Sequence, residues 1–353
     1  MLAIDTSHPV LVTGATGYVA GWIIARLLES GLTVHAAVRN PSDNTRLAHL
    51  DKLAASSSGT IRYFKADLLS EGSYDEAMAG CRIVFHTASP FTLDVRDPQT
   101  QLIDPALRGT QNILDSVERS VTVERLVLTS SCAAIYGDNR DLKQTANGVF
   151  TEDDWNTTSS LQHQPYFYSK TLAERAAWKA AERQSRWKLV VLNPSLVIGP
   201  GLNPHATSES FNVIRQFGDG RMRFGAPDLG LGVVDVRDVA EAHLRAAFLP
   251  EASGRHIISG YNTSLPALAQ TLLPRYAAYP IPRRTLPTWL VWLAAPLTDR
   301  SITRRFVRNN VGLPWIVDNS KSQRALGLRY RPLRESMHEM FAQLIASGQL
   351  PKH

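Results

Sequence analysis

Near its amino terminus the chain reads Val10-Leu11-Val12-Thr13-Gly14-Ala15-Thr16-Gly17-Tyr18-Val19-Ala20-Gly21. The first four of these residues form an apolar run that predicts a buried strand, and the periodicity from Val19 to Ser30 predicts a helix. Gly14 and Gly17 lie between them, where a backbone without side chains can turn tightly and come close to a pyrophosphate. The free amides of the helix N-terminus would bind the same phosphates. The segment therefore predicts a dinucleotide-binding turn.

The alternation of strands and helices continues along the chain. Strands are predicted at 10–13, 33–38, 61–64, 83–87, 126–129 and 189–192, and helices at 19–30, 105–119 and 169–183. Strands that alternate with helices pair in parallel through crossovers, which predicts an α/β fold with a doubly wound parallel sheet, the Rossmann architecture. Glycine and proline become frequent after Pro194. Residues 1–194 and 233–249 are therefore predicted to form the Rossmann domain, and residues 195–232 and 250–353 a smaller C-terminal substrate-binding lobe.

The composition is that of a globular protein, with 353 residues, 44% hydrophobic and 20% charged. The net charge is +6, and six arginines fall between residues 283 and 308. No nucleic-acid-binding module accompanies this charge, so we expect no nucleic-acid partner. The two cysteines, Cys81 and Cys132, have no metal-site spacing and favour a reducing, cytoplasmic location. The first eight residues do not resemble a signal peptide.

The most apolar segment is Leu286–Leu297. It is too short to cross a bilayer. We predict a helix that is buried or packed against the smaller lobe. Interfacial anchoring by its tryptophans and the neighbouring arginines is the alternative, and a membrane partner is not expected.

The second predicted strand indicates which dinucleotide binds. Enzymes that use NAD usually end this strand with Asp or Glu, which binds the ribose 2′-hydroxyl. Here the strand ends at Val38 and Arg39 follows, with no acidic residue before Asp43. The planar guanidinium of Arg39 suits a 2′-phosphate, and Arg46 offers a second cation. The sequence therefore predicts NADP(H).

A tyrosine and a lysine at helical spacing form the candidate catalytic site. Tyr166 and Lys170 are four residues apart at the start of a predicted helix, so both point into one cleft. The lysine ammonium is expected to lower the pKa of the tyrosine towards working pH, which suits proton transfer. Upstream, the strand at 126–129 ends in serines, at the sheet edge where ligands bind. No Gly-x-Ser-x-Gly elbow is present, so a nucleophilic hydrolase is not expected.

The glycine turn, the strand that ends in serines and the tyrosine–lysine pair follow one another in this order along the chain. Together they resemble the extended short-chain dehydrogenase/reductase superfamily, and within it the dihydroflavonol 4-reductase and cinnamoyl-CoA reductase group. The resemblance covers residues 9–260 and a tail near residue 320. Beyond the glycine turn, the stretches that carry it are Ala66-Asp67-Leu68, Phe85-His86-Thr87-Ala88-Ser89-Pro90, Arg108-Gly109-Thr110-Gln111-Asn112, Tyr166 through Trp178, and Trp315-Ile316-Val317-Asp318-Asn319-Ser320-Lys321.

The resemblance implies residue roles. Ser131 would be the catalytic serine, Tyr166 the acid, and Lys170 the partner of the tyrosine and a ligand of the nicotinamide ribose. The predicted cofactor-binding set is Gly14, Thr16, Gly17, Tyr18, Val19, Arg39, Arg46, Asp67, Leu68, Thr87, Ala88, Ser89, Thr129, Lys170, Pro194, Ser195 and Val197. Such enzymes transfer a hydride from NADPH to a carbonyl carbon while the tyrosine protonates the oxygen.

The expected substrate is a general ketone or aldehyde. Cys132–Tyr136 differs from the residues of flavonoid reductases, and the segment 225–232 lacks their glutamine. Apolar and aromatic residues are expected to line the pocket. The candidate residues are Phe91, Thr92, Tyr136, Tyr168, Leu196, His205, Phe211 and Phe224.

An NADPH-dependent carbonyl reductase with a small-molecule carbonyl substrate is the main hypothesis. The first alternative is an NAD-dependent nucleotide-sugar epimerase or dehydratase. Arg39 argues against it, as does Cys132-Ala133 in place of the Asp-Glu of such dehydratases. The second alternative is a non-catalytic dinucleotide sensor, which often lacks the tyrosine that this chain keeps. A homodimer is one option for its assembly.

Overall fold

The fold is described from a computed structural model for residues 2–89, 95–203, 208–298 and 302–353. Only the backbone is described at residues 296–298. Its largest element is a seven-stranded sheet in the order β10-β6-β5-β4-β1-β2-β3. The strands of this sheet are β1 (Val10–Thr13), β2 (Thr33–Val38), β3 (Thr60–Lys65), β4 (Ile83–His86), β5 (Arg125–Thr129), β6 (Lys188–Pro194) and β10 (Gly254–Ile258).

Every neighbouring pair in this sheet is parallel. Parallel strands require crossovers, and here helices supply them on both faces of the sheet. The helices of the sheet layers are α1 (Tyr18–Glu29), α2 (Asn44–Ala55), α3 (Asp75–Met78), α4 (Asp104–Arg119), α5 (Pro165–Ala181) and α7 (Val236–Phe248). The prediction of a doubly wound Rossmann sheet is confirmed.

Two hydrophobic cores enclose this sheet. On one face α1, α2 and α7 bury residues such as Ile23, Leu47 and Leu244. On the other face α3, α4 and α5 bury residues such as Met78 and Ile113. Strand residues alternate between these cores, which explains why the strands appear in the sequence as short apolar runs.

A separate core lies in the carboxyl-terminal part of the chain, around residues such as Phe217, Leu268 and Phe341. Short strands form two small sheets there, in the orders β11-β9-β7 and β12-β8. Their bounds are β7 (Leu196–Ile198), β8 (Ala226–Pro227), β9 (Gly230–Asp235), β11 (Tyr261–Ser264) and β12 (Thr285–Leu286). The helices are α6 (Glu209–Gly218), α8 (Leu265–Gln270), α9 (Thr288–Thr298), α10 (Arg304–Asn310), α11 (Ser320–Ala325) and α12 (Leu333–Ala346).

Two helices differ from their predictions. Helix α5 begins at Pro165, four residues before the predicted start, because Gln164 adopts a left-handed conformation (φ 56°) and Pro165 takes the first helical position. Helix α9 was predicted to be buried or packed against the smaller lobe; it packs against α10 through Ala295, but its other side is open, since Trp289 is 65% exposed. Among the described residues no helix has both the length and the apolar character needed to cross a membrane. Both cysteines are free and buried, as predicted.

Candidate active site

The glycine turn between β1 and α1 has the geometry that a pyrophosphate requires. Gly14 has φ +63°, and a Cβ there would lie 2.9 Å from Cα of Ala88, so only glycine fits. Gly17 donates its amide to the Gly14 carbonyl at 2.9 Å and precedes the helix. Helix α1 begins without a side-chain cap and without an acid in its first turn. Its amino-terminal amides can therefore bind phosphate, and the turn fits a dinucleotide.

The segment after β4 is tied to this turn. The Thr13 hydroxyl oxygen accepts the amides of Thr87 (3.2 Å) and Ala88 (3.1 Å) and hydrogen bonds to Nδ1 of His86 (3.0 Å). The Thr87 hydroxyl donates to the Thr13 carbonyl at 2.6 Å. Burial, with a smaller contribution from the Lys170 charge, lowers the pKa of His86 to about 3, so this histidine is neutral. Thr87 and Ala88 are therefore held beside the glycine turn.

The two arginines predicted to bind the 2′-phosphate of the cofactor, Arg39 and Arg46, are exposed. Arg39 follows the carboxyl end of β2, next to the turn that follows β1. Arg46 lies in the first turn of α2, where its Nε is 3.5 Å from Asp43 Oδ2. Arg39 thus has the better position for a 2′-phosphate. Of the other residues predicted in the turn, Thr16, Tyr18 and Val19 are partly buried.

A loop after β3 carries Asp67 and Leu68, and the side chain of Asn112 fixes its conformation. Nδ2 of Asn112 donates to the carbonyls of Leu68 at 3.1 Å and Ser70 at 2.7 Å. A Cβ on Gly109 would come within 3.2 Å of the Leu68 side chain. The Arg-Gly-Thr-Gln-Asn stretch therefore acts through packing and hydrogen bonds, which place the loop on the cofactor side.

The three predicted catalytic residues come together at the carboxyl end of β5. Ser131 follows this strand, and its hydroxyl caps a short 3₁₀ helix by accepting the Ala133 amide at 3.1 Å. The same hydroxyl lies close enough to the Tyr166 phenol to lower its pKa. Lys170 Nζ lies 5.8 Å from the centroid of the Tyr166 ring and donates to Ser89 Oγ at 3.0 Å. One cleft thus contains a serine, a tyrosine and a lysine.

The residue before α5 sets the position of the tyrosine. Gln164 takes the left-handed conformation, and its side-chain amide donates to the Gly137 carbonyl at 2.6 Å. Its backbone carbonyl accepts the amide of Tyr168 at 3.1 Å. The helix therefore starts one residue before Tyr166, which places the phenol at its amino-terminal end and Lys170 one turn later.

The pKa values of Tyr166 and Lys170 shift in opposite directions. Desolvation raises the pKa of Tyr166 to about 12, and the nearby Ser131 hydroxyl lowers it only in part, although 40% of the residue is exposed. The Lys170 ammonium donates to Ser89. Burial lowers the pKa of Lys170 to about 8, against a raising effect of Glu174. The phenol therefore keeps its proton at neutral pH.

A buried carboxylate behind the lysine was not predicted. Glu174 is 1% exposed and accepts from Ser130 Oγ (2.5 Å), Asn193 Nδ2 (2.7 Å) and Arg255 Nε (2.6 Å). Asn193 also donates to the carbonyl of Ser131 at 3.1 Å. A signal was present in the sequence, since Glu174 follows Lys170 by four residues and shares its helix face. The network fixes both chain segments that carry the catalytic groups.

Predicted cofactor residues also line a narrow cavity behind Lys170. They are Leu68, Ala88, Ser89, Thr129 and Lys170. The Thr129 hydroxyl donates to His243 Nε2 at 2.6 Å, because Nδ1 of this histidine donates to the Val239 carbonyl.

Three further predicted residues lie at the carboxyl end of β6 and in β7. Pro194 ends β6, and Val197 lies in β7. The Ser195 amide donates to the Ile258 carbonyl at 3.1 Å. Its hydroxyl is buried without a hydrogen-bond partner among the described residues, so it could bind the carboxamide of a nicotinamide.

The predicted substrate residues that the structure describes lie in different environments. Phe91, Thr92 and His205 lie outside the described residues. Phe211 is 3% exposed and packs against the Tyr18 ring at 5.2 Å, so it belongs to the carboxyl-terminal core. Phe224 is 75% exposed and projects from the surface. Phe211 is therefore a core residue and Phe224 a surface residue, and a contact of either with substrate stays a prediction.

The other three candidates lie closer to the site. Tyr136 packs against Phe167 and Trp315, with ring centroids 5.5 and 5.6 Å away. Tyr168 and Leu196 are partly buried. Among the described residues, no group of His, Cys, Asp and Glu could hold a metal ion.

Comparison with known proteins identifies the family of this chain. The model of the NAD dependent epimerase/dehydratase family matches residues 10–259. The chain belongs to this family. Cinnamoyl-CoA reductase CAD2 of Medicago truncatula is 36% identical over 344 residues, which are 96% of each chain. Dihydroflavonol 4-reductase of Gerbera hybrida is 32% identical and covers 79% of this chain and 76% of its own.

A solved structure of the yeast methylglyoxal/isovaleraldehyde reductase Gre2 with NADPH is also similar. It has a TM-score of 0.77 and 27% identity, and covers 97% of this chain and 100% of its own. The predicted resemblance to the dihydroflavonol and cinnamoyl-CoA reductase group is confirmed, and so is an NAD(P)-dependent oxidoreductase. These relatives also confirm NADP(H) as the predicted cofactor. The chain is a reductase of the family.

Proposed function

We propose that the chain is an NADPH-dependent carbonyl reductase that converts a ketone or aldehyde to an alcohol, with Tyr166 as the proton donor. The observation that carries this proposal is the convergence of three residues: Lys170 Nζ lies 5.8 Å from the centroid of the Tyr166 ring, and the Ser131 hydroxyl is near enough to lower the pKa of the phenol. This group lies at the sheet edge that also carries the glycine turn and Arg39. Residues 195–232 and 259–353 would supply the substrate side of the cleft, since β10 (Gly254–Ile258) belongs to the large sheet.

The proposed reduction needs a hydride, which the dinucleotide supplies, and a proton, which the chain's own residues supply. Reduced dinucleotide, when bound, supplies the hydride that reduces the carbonyl carbon. Ser131 and Tyr166 hold the carbonyl oxygen by hydrogen bonds, and the phenol gives that oxygen its proton. The raised pKa of Tyr166 keeps the proton on the phenol until the oxygen becomes basic. The Lys170 ammonium then stabilises the phenolate that remains, and solvent returns the proton.

The test is reduction of a panel of aryl ketones, aldehydes and diketones with NADPH, followed by absorbance of the nicotinamide. We expect turnover by the purified protein with at least one class. Tyr166→Phe removes only the acidic hydroxyl, so we expect turnover to fall by at least about 100-fold while NADPH affinity stays nearly unchanged.

Tyr261→Phe is the control, because this tyrosine lies on β11 and is not among the predicted site residues. It should keep most of the turnover. Full activity in Tyr166→Phe would remove the phenol from the mechanism, and no NADPH binding by the unmodified protein would overturn the whole proposal.

A further inference from the structure

Helix α9 presents an apolar face that no described part of the chain covers. Trp289 is 65% exposed, Leu290 39%, Trp292 38% and Leu293 51%. Residues three and four apart lie on one side of a helix, so these four side chains form one continuous surface, which we call the tryptophan face. The opposite side of α9 packs through Ala295 against α10.

Arginines surround this face. Arg283 and Arg284 precede α9, and Arg304, Arg305 and Arg308 lie on α10; all five are exposed. The guanidinium of Arg304 stacks over the Trp292 ring at 4.3 Å. Between residues 281 and 317 the sequence has six arginines, and Asp299 is its only acidic residue. A partner for this surface must therefore offer both apolar contact and negative charge.

We propose that the tryptophan face and its arginines dock on an anionic lipid surface. An eleven-residue helix is too short to span a bilayer but can lie in the headgroup region. Tryptophan favours that region because its ring is apolar and its N–H can hydrogen bond. Exposed arginines would pair with lipid phosphates, and their attraction adds to the apolar burial. This departs from the expectation that the chain has no membrane partner.

Other occupants fit the surface less well. A second copy of the chain joined by a two-fold axis would bring two surfaces of the same positive charge together, and like charges repel. Nucleic acid would pair with the arginines but gives no reason for exposed leucines beside them. An anionic lipid surface satisfies both features.

The docked face would also lie near the catalytic helix. Asn309 and Asn310 of α10 donate to the buried Asp138 at 2.8 and 2.7 Å. Asp138 also accepts from Gln164, which precedes Tyr166. The buried carboxylate of Asp138 thus contacts both α10, which packs against α9, and the residue that precedes α5.

Flotation of the full-length protein with vesicles tests this inference. Phosphatidylcholine vesicles are compared with vesicles containing about one third phosphatidylglycerol, at low and high salt. We expect at least about tenfold more protein on the anionic vesicles, release by salt, and a blue shift of tryptophan emission. W289Q/L293Q and R304Q/R305Q should each abolish binding while turnover of a soluble carbonyl is retained.

Matched controls are V121Q and R334Q, since Val121 and Arg334 are exposed elsewhere. Both controls should bind vesicles like the unmodified protein. Absence of vesicle binding, equal binding to both vesicle types, or equal loss in the controls would overturn the inference. A dimer that W289Q/L293Q dissociates, without vesicle binding, would assign the face to a second copy instead. Retention on heparin without vesicle binding would assign it to a polyanion.

Discussion

Of the residues proposed as catalytic, Lys170 is the one whose charge changes nearest to neutral pH. Burial lowers its pKa to about 8, and Glu174 one turn later raises it in part. The ammonium is therefore present below this pH and lost above it. Tyr166, with its pKa raised to about 12, keeps its proton over the same range. Of these two groups, only the lysine titrates between neutral pH and about pH 9.

The turnover number for reduction should fall as the pH rises through about 8. The reason is that a neutral lysine no longer stabilises the phenolate left by proton transfer. Initial rates at saturating NADPH and carbonyl, measured from about pH 6 to 10, check this expectation. Glu174→Gln should move the inflection to lower pH, because it removes the group that raises the pKa of Lys170. A flat profile through pH 9.5 would contradict the assignment.

Arg39 is the residue expected to choose the cofactor. Arg39→Asp replaces a cation that would bind the 2′-phosphate by a carboxylate that repels it and can bind a free ribose diol. We expect kcat/KM to fall by about 10- to 100-fold for NADPH and to rise for NADH. Arg46→Asp is the comparison, and its effect should be smaller because Asp43 already lies near that guanidinium. An unchanged preference in Arg39→Asp would assign the choice to other residues.

At the scale of the elements, one buried ion pair joins helix α5 to strand β10. Glu174 on this helix meets Arg255 on β10 at 2.6 Å, and the exposed fractions of the two side chains are 0% and 7%. The guanidinium also lies 3.9 Å from the centroid of the Trp155 ring. Removing one partner of such a pair leaves a buried charge without compensation, and this costs more than the pair contributes.

Glu174→Ala should lower the free energy of unfolding by about 3 to 5 kcal/mol, because Arg255, Ser130 and Asn193 all lose their acceptor. Urea denaturation measures this loss. The double variant E174M/R255M should recover part of it, since no unpaired charge remains. Glu182→Gln, an exposed position just after the same helix, should change stability by less than about 0.5 kcal/mol. Equal losses at both glutamates would disprove a special role for the buried one.

The sequence predicted elements where local patterns are strong. Strand β2 has the predicted bounds, and α1 begins within one residue of its prediction. Helix α2 was missed, because only Leu47 and Leu50 of its twelve residues are buried and the periodicity is weak. The start of α5 depends on the left-handed backbone of Gln164, which contacts outside the helix stabilise. Such contacts are not visible in a local pattern.

At the scale of the whole molecule, Asp138 joins the catalytic helix to the carboxyl-terminal elements. It is 2% exposed and accepts from Asn310 at 2.7 Å, His163 at 2.7 Å and Asn309 at 2.8 Å. Burial raises the pKa of this carboxyl, but the hydrogen bonds outweigh that effect and lower it below its usual value. Its contribution to stability is therefore present above about pH 4 and is lost as the pH falls through the lowered pKa.

Asp138→Asn should destabilise the protein by about 3 kcal/mol at pH 7, because its amide group faces donors from Asn309, Asn310 and His163. Turnover should fall as well, since Gln164 loses an acceptor at the start of α5. Denaturation and kinetics at pH 7 measure the two effects. The exposed Asp153 offers the control D153N, which should change neither. Loss of stability with unchanged turnover would show that the link does not reach Tyr166.

The substrate side of the cleft was the part least accessible to sequence analysis. Motifs with fixed spacing predicted Ser131, Tyr166 and Lys170, because the proposed chemistry requires those residue types, and the structure brings the three together. No motif indicates that Phe211 is buried against Tyr18 or that Phe224 is exposed. Those positions depend on how short, distant segments pack in the carboxyl-terminal part of the chain.

The close approach of Gly14 to Ala88 affects how substitutions in the glycine turn should be interpreted. A methyl group on residue 14 would push the backbone of Ala88, and the next residue, Ser89, holds Nζ of Lys170 at 3.0 Å. A substitution that displaces the glycine turn would thus also displace the Lys170 ammonium, because Ala88 and Ser89 connect the two. An inactive Gly14→Ala protein would then report impaired proton chemistry together with weakened dinucleotide affinity, and single-turnover measurements at saturating cofactor would separate the two defects.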